Sequence, residues 1–434
     1  MQFARRNWLV GCLTFGLTAA LARPAAAYSV LSHEAAIDVA WDRAIRPLLV
    51  ARFPRTSADA IDHARAFAYG GSVIQDLGYY PFGNRFFSNL LHYARSGDFV
   101  EALLRDARDA DELAFAIGAL AHYANDNTGH PAGVNLSVPI VFPKLDQTFG
   151  DVVTYEQAPK QHVIVEFSFD VAHTAHTAYP LSAYRNFIGF RVAVPLLERA
   201  FRDTYGLELT DLFGNLDRAI STYRYSVSQL IPALTEAAWR DKHEAIEALL
   251  PNASRETFVM VYPPADFERD FGRDYQKPAR FARFVAFLYK LVPKVGPLKP
   301  LAFKVLSPEA DKLFTESVRE ADARFLRAIA SVRADRLDLA NTNFDTGQPS
   351  VGGAYGLADD TYDELLDRLS KRGFERVTAP LRRNIALFYR DAPPAEAAGR
   401  HGRKHRARVE RELIALRTVA AYETTRTNRS TAGK

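Results

Sequence analysis

The sequence of 434 residues is almost free of cysteine. Its single cysteine, Cys12, lies close to the amino terminus. Disulfide bonds, thiolate metal sites and cysteine nucleophiles are therefore excluded from everything beyond that first segment. Any metal ion that this larger part binds must be held by nitrogen and oxygen atoms.

The sequence also lacks short alternating apolar segments separated by hairpin turns, which β-proteins show. Apolar residues recur instead at three- and four-residue spacing, which is typical of helices. Ser57 and Ser307 precede early acidic residues or proline, as residues that cap helix starts do. We therefore predict an all-α fold, with helices over 34–50, 84–105, 111–125, 182–203 and 308–335.

The first 27 residues have the pattern of a cleavable export signal. Arg5 and Arg6 precede an apolar run, Trp8 to Leu21, that is short for a membrane span, and three alanines follow at 25–27. The paired arginines also resemble a twin-arginine signal. We expect export to the periplasm or the medium, with cleavage after residue 27 and Tyr28 as the mature amino terminus.

Charge is distributed unevenly over the chain. Residues 400–434 contain ten lysines and arginines against three glutamates, so residues 28–399 are acidic although the whole chain is +4. An acidic body argues against a nucleic-acid-binding surface, whereas the basic tail could contact anionic lipid or form a solvated helix. The expected regions are a signal (1–27), a first helical domain (28–250), a further helical region (251–395) and a basic tail (396–434).

Segments rich in glycine and proline predict the connections. The stretch 131–160 is long and non-periodic, and such connections usually serve a functional site. Residues 291–303 combine apolar side chains with lysine and proline, so they form either a membrane-touching loop or a buried interdomain connection. Residues 343–356 are expected to be a loop before a helix that begins near Ala358.

The segment "AHYANDNTGHP" carries the strongest chemical pattern. His122, Asp126 and His130 are spaced at i, i+4 and i+8, which places them on one face of a helix that we expect to end at Pro131. Adjacent members lie about 6 Å apart, so two of them can share one ion. The alternative is an ordinary helix terminus with polar residues, and the triplet alone does not decide between the two.

Other candidate ligands are scattered along the first part of the chain. His162 and Glu166 form a chelating pair only if their segment is helical, because four strand steps span about 13 Å. Asp76 and His92 border an aromatic segment, and His33 follows the predicted mature terminus closely. A free amino group and its carbonyl can chelate a metal, so the terminus is a candidate as well.

In order and type these residues resemble the zinc-dependent phospholipase C family, which shares its α-helical fold with the S1/P1-type nucleases. The resemblance covers residues 28–180. It implies three zinc ions per chain, the first held by Asp76, His92, His122 and Asp126. It assigns the second to Tyr28, His33 and the other oxygen of Asp126, and the third to His130, His162 and Glu166.

The sequence departs from the family pattern in two places. Tyr28 replaces the usual tryptophan, and only main-chain atoms of this residue would bind metal. Three residues separate Asp126 from His130, fewer than in well-known members, so His173 or His176 is an alternative ligand.

The resemblance implies phosphodiester hydrolysis by zinc-bound hydroxide. Two zinc ions about 3.5 to 4 Å apart would activate the water and polarise the phosphoryl oxygen, while a third would stabilise the leaving group. Asp76 is also a candidate general base.

The expected substrate is a phospholipid or membrane surface. A glutamate at position 166 resembles the pattern of the phospholipases, whereas the short sequence spacing between Tyr28 and His33 resembles that of the nucleases. The aromatic residues of 79–87 could hold a quaternary ammonium group, stack on bases or simply pack. The alternatives are therefore an S1/P1-like nuclease acting on nucleic acid and a non-catalytic, zinc-stabilised, membrane-associated helical protein.

Overall fold

The computed structural model describes residues 30–177, 181–249, 254–272, 304, 306–390 and 399–423. These residues are mainly helical, as predicted. Within them, two isolated bridges, Thr342 with Pro349 and Thr378 with Tyr422, are the β-type pairings found. The α-helices are α1 Val30–Ala40, α2 Arg46–Arg52, α3 Ala58–His63, α4 Arg65–Val73, α5 Arg85–Tyr93, α6 Ser96–Asp106, α7 Ala110–Gly129, α8 Asn135–Val141, α9 Pro143–Phe149, α10 Pro159–Thr177, α11 Leu181–Ile188, α12 Val194–Tyr205, α13 Leu216–Leu249, α14 Arg255–Phe258, α15 Pro264–Phe271, α16 Pro308–Arg333, α17 Gly356–Lys371, α18 Ala379–Arg390 and α19 Gly399–Thr418.

Shorter helical turns join several of these elements. π-turns occupy Trp41–Ile45 and His130–Val134, and 3₁₀ turns occupy Ile74–Tyr79 and Leu209–Asp211. Both predicted capping serines cap a helix. Ser57 Oγ accepts a hydrogen bond from the Ala60 amide at 3.3 Å, and Ser307 Oγ accepts one from the Ala310 amide at 3.2 Å.

The expectation of a long irregular connection over 131–160 is wrong. A π-turn follows α7 directly and continues into α8 and α9. The α-helix itself ends at Gly129, just before Pro131, as predicted. Proline has no amide hydrogen for the carbonyl four residues before it, and the wide π-turn accommodates that defect. Arg324 of α16 bonds the carbonyl of Asn127 instead, at 3.3 Å.

The centre of the molecule is the close packing of α4 against α7. A Cβ added to Gly71 would lie 1.9 Å from the carbonyl oxygen of Phe115, and one added to Gly118 would lie 2.0 Å from that of Ala68. Only glycine allows the two backbones to approach this closely. Residues 74–79, which follow α4, are thereby held against the carboxyl-terminal half of α7.

The carboxyl-terminal helices pack onto the same core. Helix α16 lies against α7 and α1, and α17 lies against α5 and α19. One hydrophobic cluster runs from Val30 through Phe325 to Leu416. The segment 339–355, named here the crossing loop, runs over α5 and α7. It is a loop before α17, as predicted, although the helix begins at Gly356. The domain boundaries stay a prediction.

Several sequence-based expectations fall outside the described residues. They are the export signal, the mature terminus at Tyr28 and the loop at 291–303. Among the helices that the structure describes, none combines the length and apolarity that crossing a bilayer needs.

Candidate metal centre

The structure gathers eight of the nine predicted ligands into one buried region. None of the eight residues is more than 3% exposed. They come from α1, from the 3₁₀ turn after α4, from α5, α7, the π-turn and α10, so the site forms only when these elements pack together. The eight are His33, Asp76, His92, His122, Asp126, His130, His162 and Glu166. Tyr28 lies outside the described residues.

Asp126 lies at the centre of the first group. Its Oδ2 atom is 3.0 Å from His122 Nε2 and 3.4 Å from His92 Nε2. Its Oδ1 atom lies 3.2 Å from Nε2 of His33, whose ring stacks on that of His122 at 4.1 Å. Asp76 Oδ1 completes the His92 side at 3.5 Å from Nε2. The two oxygens of one carboxylate therefore face two different sets of nitrogen atoms.

Main-chain carbonyls fix which nitrogen of each histidine faces the centre. His122 Nδ1 lies 2.9 Å from the carbonyl oxygen of Ser72, and His92 Nδ1 lies 2.8 Å from that of Ser88. Each carbonyl can accept the Nδ1 hydrogen, which leaves the Nε2 lone pair directed at Asp126 and Asp76. Metal-binding histidines use this arrangement to hold their tautomer and ring orientation.

The second group lies one helical turn away. Helix α10 places His162 Nδ1 2.7 Å from Glu166 Oε1, so the helical interpretation of this segment is confirmed. His130 Nδ1 lies 3.8 Å from the same oxygen, and the two imidazole rings stack at 5.2 Å. Asn135 Oδ1 lies 2.8 Å from His162 Nε2 and can accept its hydrogen, which leaves Nδ1 free to bind.

His130 reaches this group despite its short distance in sequence from Asp126. It is the first residue of the π-turn, which begins at the point where Pro131 disturbs the α-helical pattern. His130 Nε2 also lies 3.8 Å from Asp126 Oδ1, so its ring stands between the two groups. The side chains of His173 and His176, the alternative ligands, lie outside the part of the chain that is described.

Sequence reasoning missed two residues of the crossing loop. The Phe344 ring lies 5.2 Å from that of His92, and its amide donates to the His92 carbonyl at 3.1 Å. Asp345 Oδ1 lies 3.5 Å from His162 Nε2. Nothing in the spacing marks these residues, because they follow Glu166 by almost 180 positions. The signal that the sequence offers for Asp345 is its position inside a glycine-rich loop, which by itself predicts only a loop.

Opposing electrostatic effects act on the first group. Burial lowers the pKa of His92, but the neighbouring carboxylates of Asp126 and Asp76 outweigh burial and raise it to about 10. Burial raises the pKa of Asp126, and the positive charges of His122 and His33 reverse this and hold it well below its usual range. Asp126 is thus an anion that its surroundings pair with cations.

The second group behaves in the opposite way. Burial lowers the pKa of His130 to about 3 and that of His162 to about 4, so both rings are neutral at neutral pH. Burial, followed by the charges of Asp126 and Asp76, raises the pKa of Glu166 well above its usual range. Neutral imidazole is the form that binds metal, and a divalent ion would supply the positive charge that Glu166 lacks.

Carboxylate oxygens without hydrogen bonds show that the donor set fits a metal. In the described structure both oxygens of Asp76, both of Asp126 and one of Glu166 are buried with no hydrogen-bond partner. Leaving a buried polar group unsatisfied costs about 1 to 3 kcal/mol, and more for a charged one. Imidazole nitrogens and carboxylate oxygens are the ligands that zinc accepts in the absence of thiolates. Cations among these atoms would remove the penalty.

The aromatic segment beside the site is mainly packed. Tyr79, Tyr80, Phe86 and Phe87 are buried, and Phe87 contacts Phe201 and Phe213 in the core. Phe82 is half-exposed. Most of these aromatic side chains therefore pack in the core and are not available to bind a substrate. The Tyr79 ring, 5.5 Å from that of His92, is the one that borders the first group directly.

Helix α1 is oriented so that its amino-terminal end meets the site. Asp170 of α10 accepts hydrogen bonds from the amides of Leu31 at 3.3 Å and Ser32 at 3.2 Å. A carboxylate at a helix start is favourable because the unpaired amides carry partial positive charge. This contact anchors His33 next to Asp126.

The site is thus a buried cluster of nitrogen and oxygen donors, with three groups that could each hold a metal ion, in an all-α protein. Comparison with known families agrees with this description. Residues 40–215 match the model of the zinc dependent phospholipase C family. The comparisons with curated proteins and with solved structures gave no match.

Proposed function

We propose that this protein is an exported, zinc-dependent phospholipase C that hydrolyses the phosphodiester bond of phospholipids. The family match supports a hydrolase of this type. The three groups of buried histidine and carboxylate side chains support a requirement for zinc, with up to three ions per chain. The pattern of residues 1–27 supports export.

One observation carries the proposal. Asp126 directs Oδ1 at His33 and Oδ2 at His122 and His92, so a single carboxylate is positioned to bridge two cations. A buried carboxylate shared in this way is hard to explain as structure alone, because an ordinary buried aspartate needs hydrogen bonds that Asp126 does not make. The amino group of Tyr28 is the further ligand that the family pattern assigns to the His33 side.

Zinc, when bound, would lower the pKa of a water molecule and polarise the phosphoryl oxygen. The chain's own residues would then orient the reactants. Neither oxygen of Asp76 is hydrogen-bonded, so one can bind while the other accepts a proton from the attacking water. The carbonyls of Ser72 and Ser88 keep His122 and His92 from rotating as charge develops.

Lipid is the proposed substrate because the body of the chain is acidic. An acidic surface repels the phosphate backbone of a nucleic acid, whereas a phospholipid presents one phosphodiester at a time. The basic tail is proposed to contact the anionic membrane surface. Its Arg408 is already paired with Asp363 at 2.6 Å, so other arginines would make that contact.

The proposal is tested by measuring zinc content and substrate turnover on the same purified sample. Elemental analysis is expected to give two to three zinc ions per chain, and chelation should abolish hydrolysis of phosphatidylcholine vesicles. Single-stranded DNA is assayed in parallel under the same conditions.

Each alternative predicts a different result. Rapid digestion of DNA without lipid cleavage would overturn the phospholipase in favour of a nuclease. Bound zinc without any phosphodiesterase activity would indicate a non-catalytic, zinc-stabilised protein. A chain that binds no zinc at all would contradict both the zinc-dependent phospholipase and the zinc-stabilised protein.

A further inference from the structure

We infer that Asp345 of the crossing loop is a ligand of the metal bound by His130, His162 and Glu166, and that it closes that site. The inference rests on the proposed function only in assuming that this group binds a metal. It adds a ligand from the carboxyl-terminal part of the chain, beyond the region of residues 40–215 that matches the family.

The loop holds Asp345 in a fixed position. Its Oδ2 atom accepts hydrogen bonds from the Tyr355 hydroxyl at 2.5 Å and from the Tyr155 amide at 3.1 Å. Its own carbonyl accepts from Asn135 Nδ2 at 2.7 Å. Asn135 is the residue that also contacts His162 Nε2. The main chain and one carboxylate oxygen are therefore anchored to α8, to the segment before α10 and to the end of the crossing loop.

The other oxygen points at the histidines. Asp345 Oδ1 is buried without a hydrogen-bond partner, 3.8 Å from His130 Nδ1 and 3.5 Å from His162 Nε2. Glu166 Oε1 lies at the same 3.8 Å from His130 Nδ1. Ligand atoms of a tetrahedral zinc ion are about 3.3 Å apart, given metal–ligand distances near 2.0 Å. His130 Nδ1 is therefore the nitrogen that both carboxylates approach, whereas at His162 the Asp345 oxygen faces Nε2 and the Glu166 oxygen faces Nδ1.

Asp345 is not needed as the hydrogen-bond acceptor of His162. Asn135 Oδ1 lies closer to Nε2, at 2.8 Å, and fills that role. Asp345 Oδ1 therefore takes no part in the hydrogen-bond network. A bound cation would satisfy this buried carboxylate oxygen.

Charge balance favours the same assignment. Two neutral imidazoles and one carboxylate leave a divalent ion with one uncompensated positive charge in a buried site. A second carboxylate neutralises it, and burial of an uncompensated charge is expensive. Glu166 belongs to α10, and Asp345 belongs to the crossing loop. A metal site without net charge therefore requires residues from both halves of the chain.

Four protein ligands are typical of structural zinc sites, whereas catalytic sites keep a position open. The metal at this group therefore clamps the crossing loop onto α7 and α10.

The test compares Asp345→Asn with Tyr355→Phe in the full chain from residue 28. Zinc per chain is measured by elemental analysis after dialysis against a zinc buffer, and zinc affinity is measured by chelator competition. Asp345→Asn keeps the shape and can still accept the Tyr355 hydrogen bond, but it should lose one zinc ion. Tyr355→Phe removes that hydrogen bond, leaves the ligand oxygen in place and should keep the full zinc content.

The outcomes separate this inference from the proposed function. Wild-type zinc content with unchanged affinity in Asp345→Asn would overturn the inference and leave the phospholipase proposal intact. Equal zinc loss in both variants would also overturn it, because positioning of the loop would then explain the effect. A wild-type chain without zinc would overturn both proposals.

If Asp345→Asn does not fold, a second variant, Asp345→Cys, tests the same ligand assignment. The chain from residue 28 contains no cysteine, so Asp345→Cys introduces a single thiol. A thiolate bound to cobalt(II) absorbs through ligand-to-metal charge transfer, and this band is expected after cobalt loading. A folded, cobalt-loaded variant without the band would overturn the assignment.

Discussion

Asp126 contributes to the site through the charge of its carboxylate and the orientation of its two oxygens, not through the volume of its side chain. Its two oxygens lie 3.2 Å from His33 Nε2 and 3.0 Å from His122 Nε2, and these two imidazole rings stack at 4.1 Å. An amide of the same shape would keep one acceptor and replace the other with a donor aimed at an imidazole nitrogen. The site therefore depends on the carboxylate and not on packing at this position.

We expect Asp126→Asn to reduce zinc content by at least one ion per chain and phospholipase activity at least 100-fold. The reason is that a bridging carboxylate supplies charge to two ions at once. Elemental analysis and a vesicle hydrolysis assay measure the two effects. Asp146→Asn, at an exposed position on α9, is the matched control and should leave both unchanged. Full activity in Asp126→Asn would contradict the site.

Asp322 of α16 offers a pH test away from the metal centre. Burial raises the pKa of Asp322 to about 6, and Arg43 opposes this only in part. The folded state therefore holds its proton up to a higher pH than the unfolded state does. This group's contribution to stability is fully present below the ordinary pKa and declines as pH rises through about 6.

We expect Asp322→Asn to stabilise the protein at pH 7.5 and to have little effect at pH 4. The half-buried side chain is partly screened by solvent, so the expected gain is about 1 kcal/mol. Urea denaturation at both pH values measures the difference. Glu320→Gln, exposed on the same helix, is the control. A gain that is larger at pH 4 than at pH 7.5 would show that the sign is wrong.

At the level of elements, helical periodicity predicts much of the fold. The i, i+4 spacing of His162 and Glu166 is realised in α10, and that of His122 and Asp126 in α7. The π-turn at His130 was not predictable from helical period, because that period describes a regular α-helix and Pro131 interrupts it. Arg324 of α16 donates to the Asn127 carbonyl that Pro131 leaves without its usual partner, and this contact comes from a distant helix.

The glycine contacts between α4 and α7 are the most sensitive packing feature. We expect Gly71→Ala to destabilise the protein by about 3 kcal/mol, because the new methyl group would meet the Phe115 carbonyl and force the helices apart. Zinc affinity should fall too, since the Ser72 carbonyl that orients His122 would move. Urea denaturation and chelator competition measure these effects.

Gly214→Ala is the matched control, because a Cβ at this exposed position meets nothing within 4 Å. It should leave stability and zinc affinity close to those of the wild type. If Gly71→Ala behaves like this control, then α4 and α7 are not packed as tightly as the structure indicates.

At the level of the whole molecule, the metal centre draws on residues from both halves of the chain. Phe344 covers His92, and Phe314 of α16 packs on Phe169 of α10 with ring centroids 4.5 Å apart. Removal of these side chains would expose apolar faces of α7 and α10 that the first half cannot bury alone.

We expect residues 28–250, expressed alone, to lack a stable fold and to bind zinc weakly. Co-expression of residues 251–434 as a second chain should restore both properties, because it returns α16 and the crossing loop. Near-ultraviolet circular dichroism and zinc content of the purified material measure the outcome. A cooperative, zinc-loaded domain formed by residues 28–250 alone would instead support the domain boundary predicted from sequence.

The sequence by itself determined the helical class, the absence of thiolate chemistry and the set of candidate ligands, because these follow from composition, from short-range spacing and from family resemblance. Only the tertiary structure decided that Asp126 faces two sets of nitrogens, that a π-turn carries His130 toward α10, and that Asp345 joins this group. The physical reason is distance along the chain. Periodicity fixes which side chains share a helix face, but only packing fixes which faces meet.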